Sequence, residues 1–453
     1  MQLQKAIWLL CFLAPACASS EATHRRHIET WQEAQAKSMA LPVEGTAAST
    51  RLALSTGAGL PEMLRHARRH NPRLRAAFHA WRASIEQIPQ ASQLPEPRMI
   101  FGAFLEKVET RTGPMQGKLS IVQALPWFGK RRLAGDVAAA KAQALAQAVE
   151  VAYLAVDFQV KDAWYEYAWL QKTIQVDRAH RELLSHWQNV ARTRMELALS
   201  KPSEILRVEI ELGKLEDRLM SLNDLQRPLR AKLNAVLNRP ADAPLPVPEF
   251  PLSGPEVVDT DRLLADLDVT NPGLRQLQHR IAAAELAVQL ADKAGYPDLS
   301  LGVDYTFIGS NGAAGSGDDA VALTVGLGLP IWRGAYRAKQ DGARAHLKMA
   351  RANLDAARNG LIADLEMALF KLRDTSRHLE LLNTSLIPKG QEAIGIMGDT
   401  YQSGESNFIE VVDAQRILLE FQLQAVRAEV DRAKALSKVE QLSGVSIPLV
   451  DKL

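Results

Sequence analysis

The chain has 453 residues, and its 54 lysines and arginines nearly balance its 52 aspartates and glutamates. A formal charge of +2 offers nucleic acid no basic groove. Both cysteines, Cys11 and Cys17, fall at the N-terminus, so the body of the chain has neither a disulfide framework nor a cysteine metal site.

Residues 1–18 read as an export signal: Lys5, an apolar run from Ala6 to Ala14, then small residues, too short to span a bilayer. Two endings fit it. Ala16-Cys17-Ala18 suits cleavage after Ala18, and Leu13-Ala14-Pro15-Ala16-Cys17 is an imperfect lipobox that would leave Cys17 lipidated. Residues 19–58 are expected to be a polar, irregular tail containing His24 and His27. Residues 59–240 carry a short helix, strands at about 98–106 and 117–125, and long helices over 130–200 and 202–238. A Pro-rich linker, 241–258, follows. Residues 259–443 repeat the plan, with strands at about 298–307 and 320–329 and long helices over 335–400 and 406–442, leaving 444–453 as a C-terminal tail.

The two halves are copies. Asn71-Pro72-Arg73-Leu74 returns as Asn271-Pro272-Gly273-Leu274, and Leu94-Pro95-Glu96-Pro97 as Tyr296-Pro297-Asp298-Leu299. Leu125-Pro126-Trp127-Phe128-Gly129 is echoed by Leu329-Pro330-Ile331-Trp332-Arg333-Gly334. Three landmarks in one order, at offsets of 200 to 204, mark an internal duplication. From Asp136 to Lys201 there is neither Gly nor Pro, enough for a helix of roughly 100 Å. The return helix carries Ile205, Val208, Leu212, Leu215, Leu219, Leu222, Leu229, Leu233 and Val236 at alternating steps of three and four, a coiled-coil seam that Pro228 should kink. Ile409, Val412, Leu419, Leu423, Val426, Val430 and Ala433 do the same in the last helix.

The strands explain why so helical a chain needs any. In "DLSLGVDYTF" the odd positions Leu299, Leu301, Val303, Tyr305 and Phe307 are apolar, while Ser300, Gly302, Asp304 and Thr306 lie between them. Val321, Leu323, Val325, Leu327 and Leu329 alternate as cleanly. Strands of about ten residues match the path of a tilted strand through hydrocarbon, and the chain has no spare apolar helix to cover such a sheet. Unpaired edges are costly in lipid, and four strands cannot close when the smallest common barrels need about eight. The strands must be pooled between copies. The fold class is mainly α with a small β part, built from a duplicated helix–strand–strand–helix unit.

This plan, with "ALPWFGKRR" (124–132) entering the first long helix and "YQSGESNFIEVVDAQ" (401–415) opening the last, resembles the TolC family of outer-membrane efflux proteins. "ALPWFGKRR" further resembles the heavy-metal, CzcC/CusC-like branch. The resemblance covers roughly residues 60–443. It implies a homotrimer: a 12-stranded β-barrel in the outer membrane of a Gram-negative bacterium, continued by a 12-helix α-barrel through the periplasm. It also implies two partners, a periplasmic adaptor and an inner-membrane pump of the RND type, and a passive duct with no cofactor. Heavy-metal cations are the implied cargo, with drug efflux and type I secretion as alternatives. In the family's prototype a gate tyrosine is followed, nine residues on, by the first of two carboxylates spaced i, i+3. Tyr401, Glu410 and Asp413 occupy those positions, and Ser406 stands where the prototype has a latch arginine. The repeat alignment sets Arg207 opposite Asp413 as a substitute partner.

Trp127 and Trp332 suit a membrane-interface girdle, with Lys130, Arg131 and Arg132 facing headgroups just beyond. His66 and His70 have an i, i+4 metal spacing but no third ligand nearby, and "RHARRH" reads as a basic helix face. Trp164, Tyr165, Tyr167 and Trp169 read as packing between helices. No nucleophile–base pair, phosphate loop or carboxylate couple indicates an enzyme. A periplasmic coiled-coil adaptor, the contrasting class, would have one hairpin and a lobe of short strands. This chain has two hairpins.

Overall fold

The structure, a computed structural model, describes residues 18–37, 58–198, 201–249, 254–255, 258–312, 314, 316–447 and 449–450. Cys17 and the export signal before it lie outside these. In chain order the elements are α1 (Ala18–Lys37), α2 (Leu60–His70), α3 (Pro72–Ser92), β1 (Arg98–Thr110), β2 (Gly113–Leu125), α4 (Lys130–Glu196), α5 (Pro202–Val236) and β3 (Gly254–Pro255). Then come α6 (Thr260–Ala265), α7 (Leu267–Thr270), α8 (Pro272–Lys293), β4 (Leu299–Ile308), β5 (Ala320–Leu327), α9 (Arg333–Leu381), a π turn (Leu382–Leu386), α10 (Ile387–Ser403), α11 (Phe408–Ser443) and β6 (Leu449–Val450). Among the described residues the chain is mainly helical, with a four-stranded antiparallel sheet and a two-stranded one (β3 with β6), in two compact units.

The first unit comprises Phe78–Gln147, Arg275–Ala356 and the N-terminal residues to Ala34. Its sheet runs β1-β2-β4-β5, every neighbour antiparallel, with β1 and β5 as edges. Register puts the alternating residues in line: Met99 faces Ile121, which faces Val303, which faces Leu323. Phe101, Leu119, Tyr305 and Val321 form the next such row. Directly opposed residues share a face, so one side of the sheet is apolar except at Gln123, which stands in line with Leu301 and Val325. It is uncovered: Met99 is 72% exposed, Phe101 69%, Leu323 68% and Val325 68%. The other side carries Lys118, Ser120, Asp304 and Thr306, with Ile100 and Val122 as apolar exceptions. There Ser120 donates to the carboxylate of Asp304, which also pairs with Lys118 at 3.3 Å.

Several boundaries differ from expectation. The first hairpin is longer than 98–106 and 117–125, because polar residues 107–116 continue the ladder past a bulge between Ala103 and Val108 and close at Thr110–Gly113. β5 stops at Leu327 rather than 329, since the Gly328 N–H turns to the Asp298 carbonyl (2.8 Å). The stretch expected as an irregular tail is helical over Ala18–Lys37. Its His24 lies 3.1 Å from Glu86, and the Arg82 guanidinium stacks 4.9 Å over Trp31.

The second unit comprises Gln35–Ala77, Ala148–Leu274 and Ala357–Leu453. Its core joins Met63, Ala67 and Leu74 to Val156, Val160, Trp164 and Tyr165 of α4, Leu233 of α5 and Val430 of α11. Beside it, Asp162 and Glu166 of α4 meet Lys232 (2.8 Å, to Asp162), Arg427 (3.1 Å, to Glu166) and Lys434. α5 runs unbroken through Pro228. The helix expected over 335–400 is instead interrupted by the π turn just before Pro388, whose ring has no N–H and would clash with the carbonyl four residues back.

The duplication shows in equivalent joints. Asn71 Nδ2 donates to the Val236 carbonyl at the end of α5 (2.9 Å), and Asn271 Nδ2 to the Leu442 carbonyl near the end of α11 (2.7 Å). Each side-chain oxygen also caps the helix that follows, accepting from Arg73 N and Leu274 N at 2.9 Å. Both return helices end in a left-handed residue, Asn238 (φ 56) and Gly444 (φ 75). A Cβ at Gly444 would stand 2.6 Å from the Thr270 carbonyl oxygen. We expect Asn71→Asp and Asn271→Asp, which keep the cap but lose the donor, each to cost about 1–3 kcal/mol. Thermal unfolding of the purified protein measures this; an unchanged midpoint would show that the joint does not hold the return helix.

Candidate functional site

The tip of the second helical hairpin is built by its sequence. Gly404, at φ +84, ends α10 and returns its N–H to the Tyr401 carbonyl (3.1 Å), and the Asn407 side chain caps α11 through Ile409 N (3.3 Å). Tyr401 is 3% exposed, its ring 5.0 Å from Phe408 and 6.4 Å from Trp187. Its hydroxyl donates to Glu204 Oε2 of α5 at 3.0 Å. Arg194, in the last turn of α4, lays its guanidinium 4.7 Å over the same ring and donates from Nη1 to the Gln402 carbonyl at 2.8 Å. Phe408, Val411, Val412 and Gln415 bury one side of α11. Glu410 is exposed and Asp413 half-exposed on its wet side. Asp413 pairs with Arg416 at 3.5 Å, and among the described residues no ion pair joins it to exposed Arg207. The Ser406 hydroxyl is buried without a hydrogen-bond partner.

Above the tip lies a polar layer that periodicity hides. Thr173, Asp177 and His180 of α4 and Gln415 of α11 are all at most 4% exposed. The Thr173 hydroxyl, both Asp177 carboxylate oxygens and both polar atoms of the Gln415 amide lack hydrogen-bond partners, and Arg218 Nε lies 3.0 Å from Asp177. His180 and Gln415 line one cavity of about 160 Å³ with Arg218 and Arg416. Burial raises the Asp177 carboxyl pKa and depresses that of His180 to about 4. His66 is likewise about 4, held down by burial first and by His70 second. The basic face expected there is formed by exposed Arg65, Arg68 and Arg69, of which Arg68 pairs with Asp157, whereas His66 is an interior residue. Among the described residues no group of three or more His, Cys, Asp or Glu could hold a metal.

In the first unit the strand-to-helix junction is a clasp. The Asp298 carboxylate accepts from Trp127 N (2.7 Å) and Lys130 Nζ (2.8 Å), Lys130 also reaches the Tyr296 carbonyl (2.9 Å), and Trp127 stacks on Tyr296 at 5.7 Å. Arg131 Nε donates to the Ser92 carbonyl at 2.9 Å. Lys130 and Arg131 are therefore spent on the joint, and of the three expected to face headgroups only Arg132 is exposed. Trp127 is turned inward. The rings left bare at the two junctions are Phe128, 76% exposed, and Trp332, 74%.

The chain thus combines a duplicated pair of long helical hairpins with an open antiparallel sheet that has one bare apolar face. The pattern of the outer membrane efflux protein family matches residues 263–445. Pyoverdine export outer membrane protein OpmQ of Pseudomonas putida is 28% identical over 201 residues, 42% of this chain and 42% of its own, so the match spans less than half of that relative. Among solved structures, the outer-membrane channel OprN superposes with a TM-score of 0.73 at 17% identity, covering 87% of this chain and 91% of its own. CusC, described for transmembrane channel formation, gives 0.72 at 14%, covering 89% and 96%. Residues 263–445 carry the pattern of the outer membrane efflux protein family, and the chain has the fold of these channels.

The two buried histidines set a pH dependence. Their folded pKa lies below the unfolded 6.5, so the unfolded chain binds the extra protons, and stability is lost as pH falls from about 6.5 to about 4. We expect about 2–3 kcal/mol per histidine over that window. Thermal melts between pH 7 and 4 should flatten for His180→Phe; an identical profile would place the titration elsewhere.

Proposed function

We propose that three copies of this chain form a passive exit duct in the outer membrane of a Gram-negative bacterium, with the helices crossing the periplasm to an adaptor and an RND-type pump. The observation that carries this reading is the sheet: its apolar face is bare and its two edge strands, β1 and β5, are unpaired. A second copy alone would close eight strands; the trimer of twelve follows from the family. The chain performs no chemistry, and energy comes from the pump.

The duplication says how copies meet. Within the chain, the junction after β2 clasps the approach to β4 through Lys130 and Asp298. By the same rule the junction after β5 clasps the approach to β1 of the next copy: exposed Glu96 is the repeat's counterpart of Asp298, and exposed Arg333 is the first cation of the second junction. Phe128 and Trp332 belong to the girdle at the membrane interface, with Trp127 stacked behind. Glu410 and Asp413 ring the closed periplasmic end with about six carboxylates, a charge that attracts cations and repels anions, beside Tyr401. Arg207 is available to a neighbouring copy. Cys17 is a lipid anchor if the lipobox ending is used.

Heavy-metal cations are the cargo we assign, supported by "ALPWFGKRR" and the carboxylate ring. A second reading, small organic molecules, is favoured by the relative named for pyoverdine export and by the solvent efflux pump outer membrane protein SrpC of Pseudomonas putida, 25% identical over 184 residues, 38% of this chain and 39% of its own.

Purified protein should need detergent and run as a heat-sensitive trimer; a soluble monomer would overturn the duct. Glu96→Arg should weaken the trimer and Arg333→Glu restore it in the double variant, read by native electrophoresis. Glu410→Ala with Asp413→Ala should raise single-channel conductance in planar bilayers at least twofold, and unchanged conductance would reject the gate. A deletion strain should lose tolerance to Co, Zn, Cd, Cu or Ag; normal metal tolerance with sensitivity to organic solvents would select the second reading.

A further inference from the structure

We infer that Arg194 is the latch of this gate, holding the tip of the second hairpin to the first; the inference rests on the duct reading above. Beside the apolar packing of Trp187 on Tyr401, polar contacts join the two tips at one point, and Arg194 makes two of them: Nη1 to the Gln402 carbonyl at 2.8 Å and the guanidinium over the Tyr401 ring at 4.7 Å. The third, from the Tyr401 hydroxyl to Glu204, pins the other end of the same ring. Tyr401 is thus held between a cation on its face and a carboxylate at its hydroxyl.

The chemistry suits a latch rather than a strut. Gln402 lies in the last turn of α10, where carbonyls have no partner within the helix and the dipole is negative, so a guanidinium satisfies both demands. Among the described residues no carboxylate lies within ion-pair range of Arg194, and its Nε is buried without a hydrogen bond. The side chain is committed to the tip of α10 and to nothing else that a structural ion pair would supply. An arginine reaching across from α4 also gives Ser406, buried and unpartnered one turn of chain away, no task as a latch. A carbonyl and a ring face are contacts that can be broken and remade without separating a buried ion pair, which a gate requires.

The test compares channels of the full-length trimer in planar bilayers and vancomycin sensitivity in cells. Arg194→Ala should raise conductance at least twofold and sensitivity at least fourfold, with Arg194→Lys intermediate and the melting temperature within about 2 °C of the parent. Arg194→Gln, which keeps length and a donor but no charge, serves if the alanine variant does not assemble. Tyr401→Phe, which frees Glu204 but keeps the ring, should leak less than Arg194→Ala. Arg194 variants that stay closed while the Glu410→Ala, Asp413→Ala channel leaks would overturn the latch and leave the duct standing. If the parent forms no channel, both fall.

Discussion

An edge strand in hydrocarbon leaves a row of N–H and C=O groups with nothing to bond, each at a cost of several kcal/mol. That constraint governs everything above it in this chain. The sheet has two such edges and one bare apolar face, and among the described residues no helix is long and apolar enough to cross a membrane in its place. A chain so made is stable in a bilayer only when its edges meet other edges.

Duplication supplies that arrangement and also explains where the symmetry stops. Asn71 and Asn271 make the same pair of hydrogen bonds because each must turn a short helix onto the end of a returning long one. The strand junctions break the likeness. Trp127 and Lys130 are engaged with Tyr296 and Asp298, whereas Trp332 and Arg333 are bare. A repeated motif that is satisfied in one half and unsatisfied in the other is what an interface looks like from one side.

Strict alternation over 299–307 and 321–327 was legible because a two-faced sheet between unlike media leaves no freedom at any position. The hairpin extension through 107–116 was not, since a strand with the same medium on both faces has no reason to alternate. The seam of α5 was visible in its heptads. The wider burial of α11, where Ala425, Ala428, Ala435 and Gln415 also face inward, was hidden by small and polar side chains that hydrophobic periodicity does not count. Tyr401 entered only through the resemblance of its motif to that of the TolC family. Glu204 and Arg194 could not be read, because they lie about 200 residues away and meet it only when two hairpins stand side by side. His66 misled for a related reason, a titratable residue surrounded by arginines in sequence and by Leu237 and the helix core in space.

The energetics of the tip follow from these contacts. The Tyr401–Glu204 and Arg194–Gln402 hydrogen bonds and the cation–π contact are each worth about 1 kcal/mol when partly solvated. One copy's tip is therefore held by about 3 kcal/mol, and a proposed trimer by roughly three times that. Micromolar docking of a partner releases about 8 kcal/mol, the same order. A tip joined by buried ion pairs would stay shut against such a partner, and one joined by nothing would leak. The apolar core around Trp187, Val208 and Phe408 includes Tyr401 itself, so in the proposed gate the polar contacts would break first while the core still held the hairpins together.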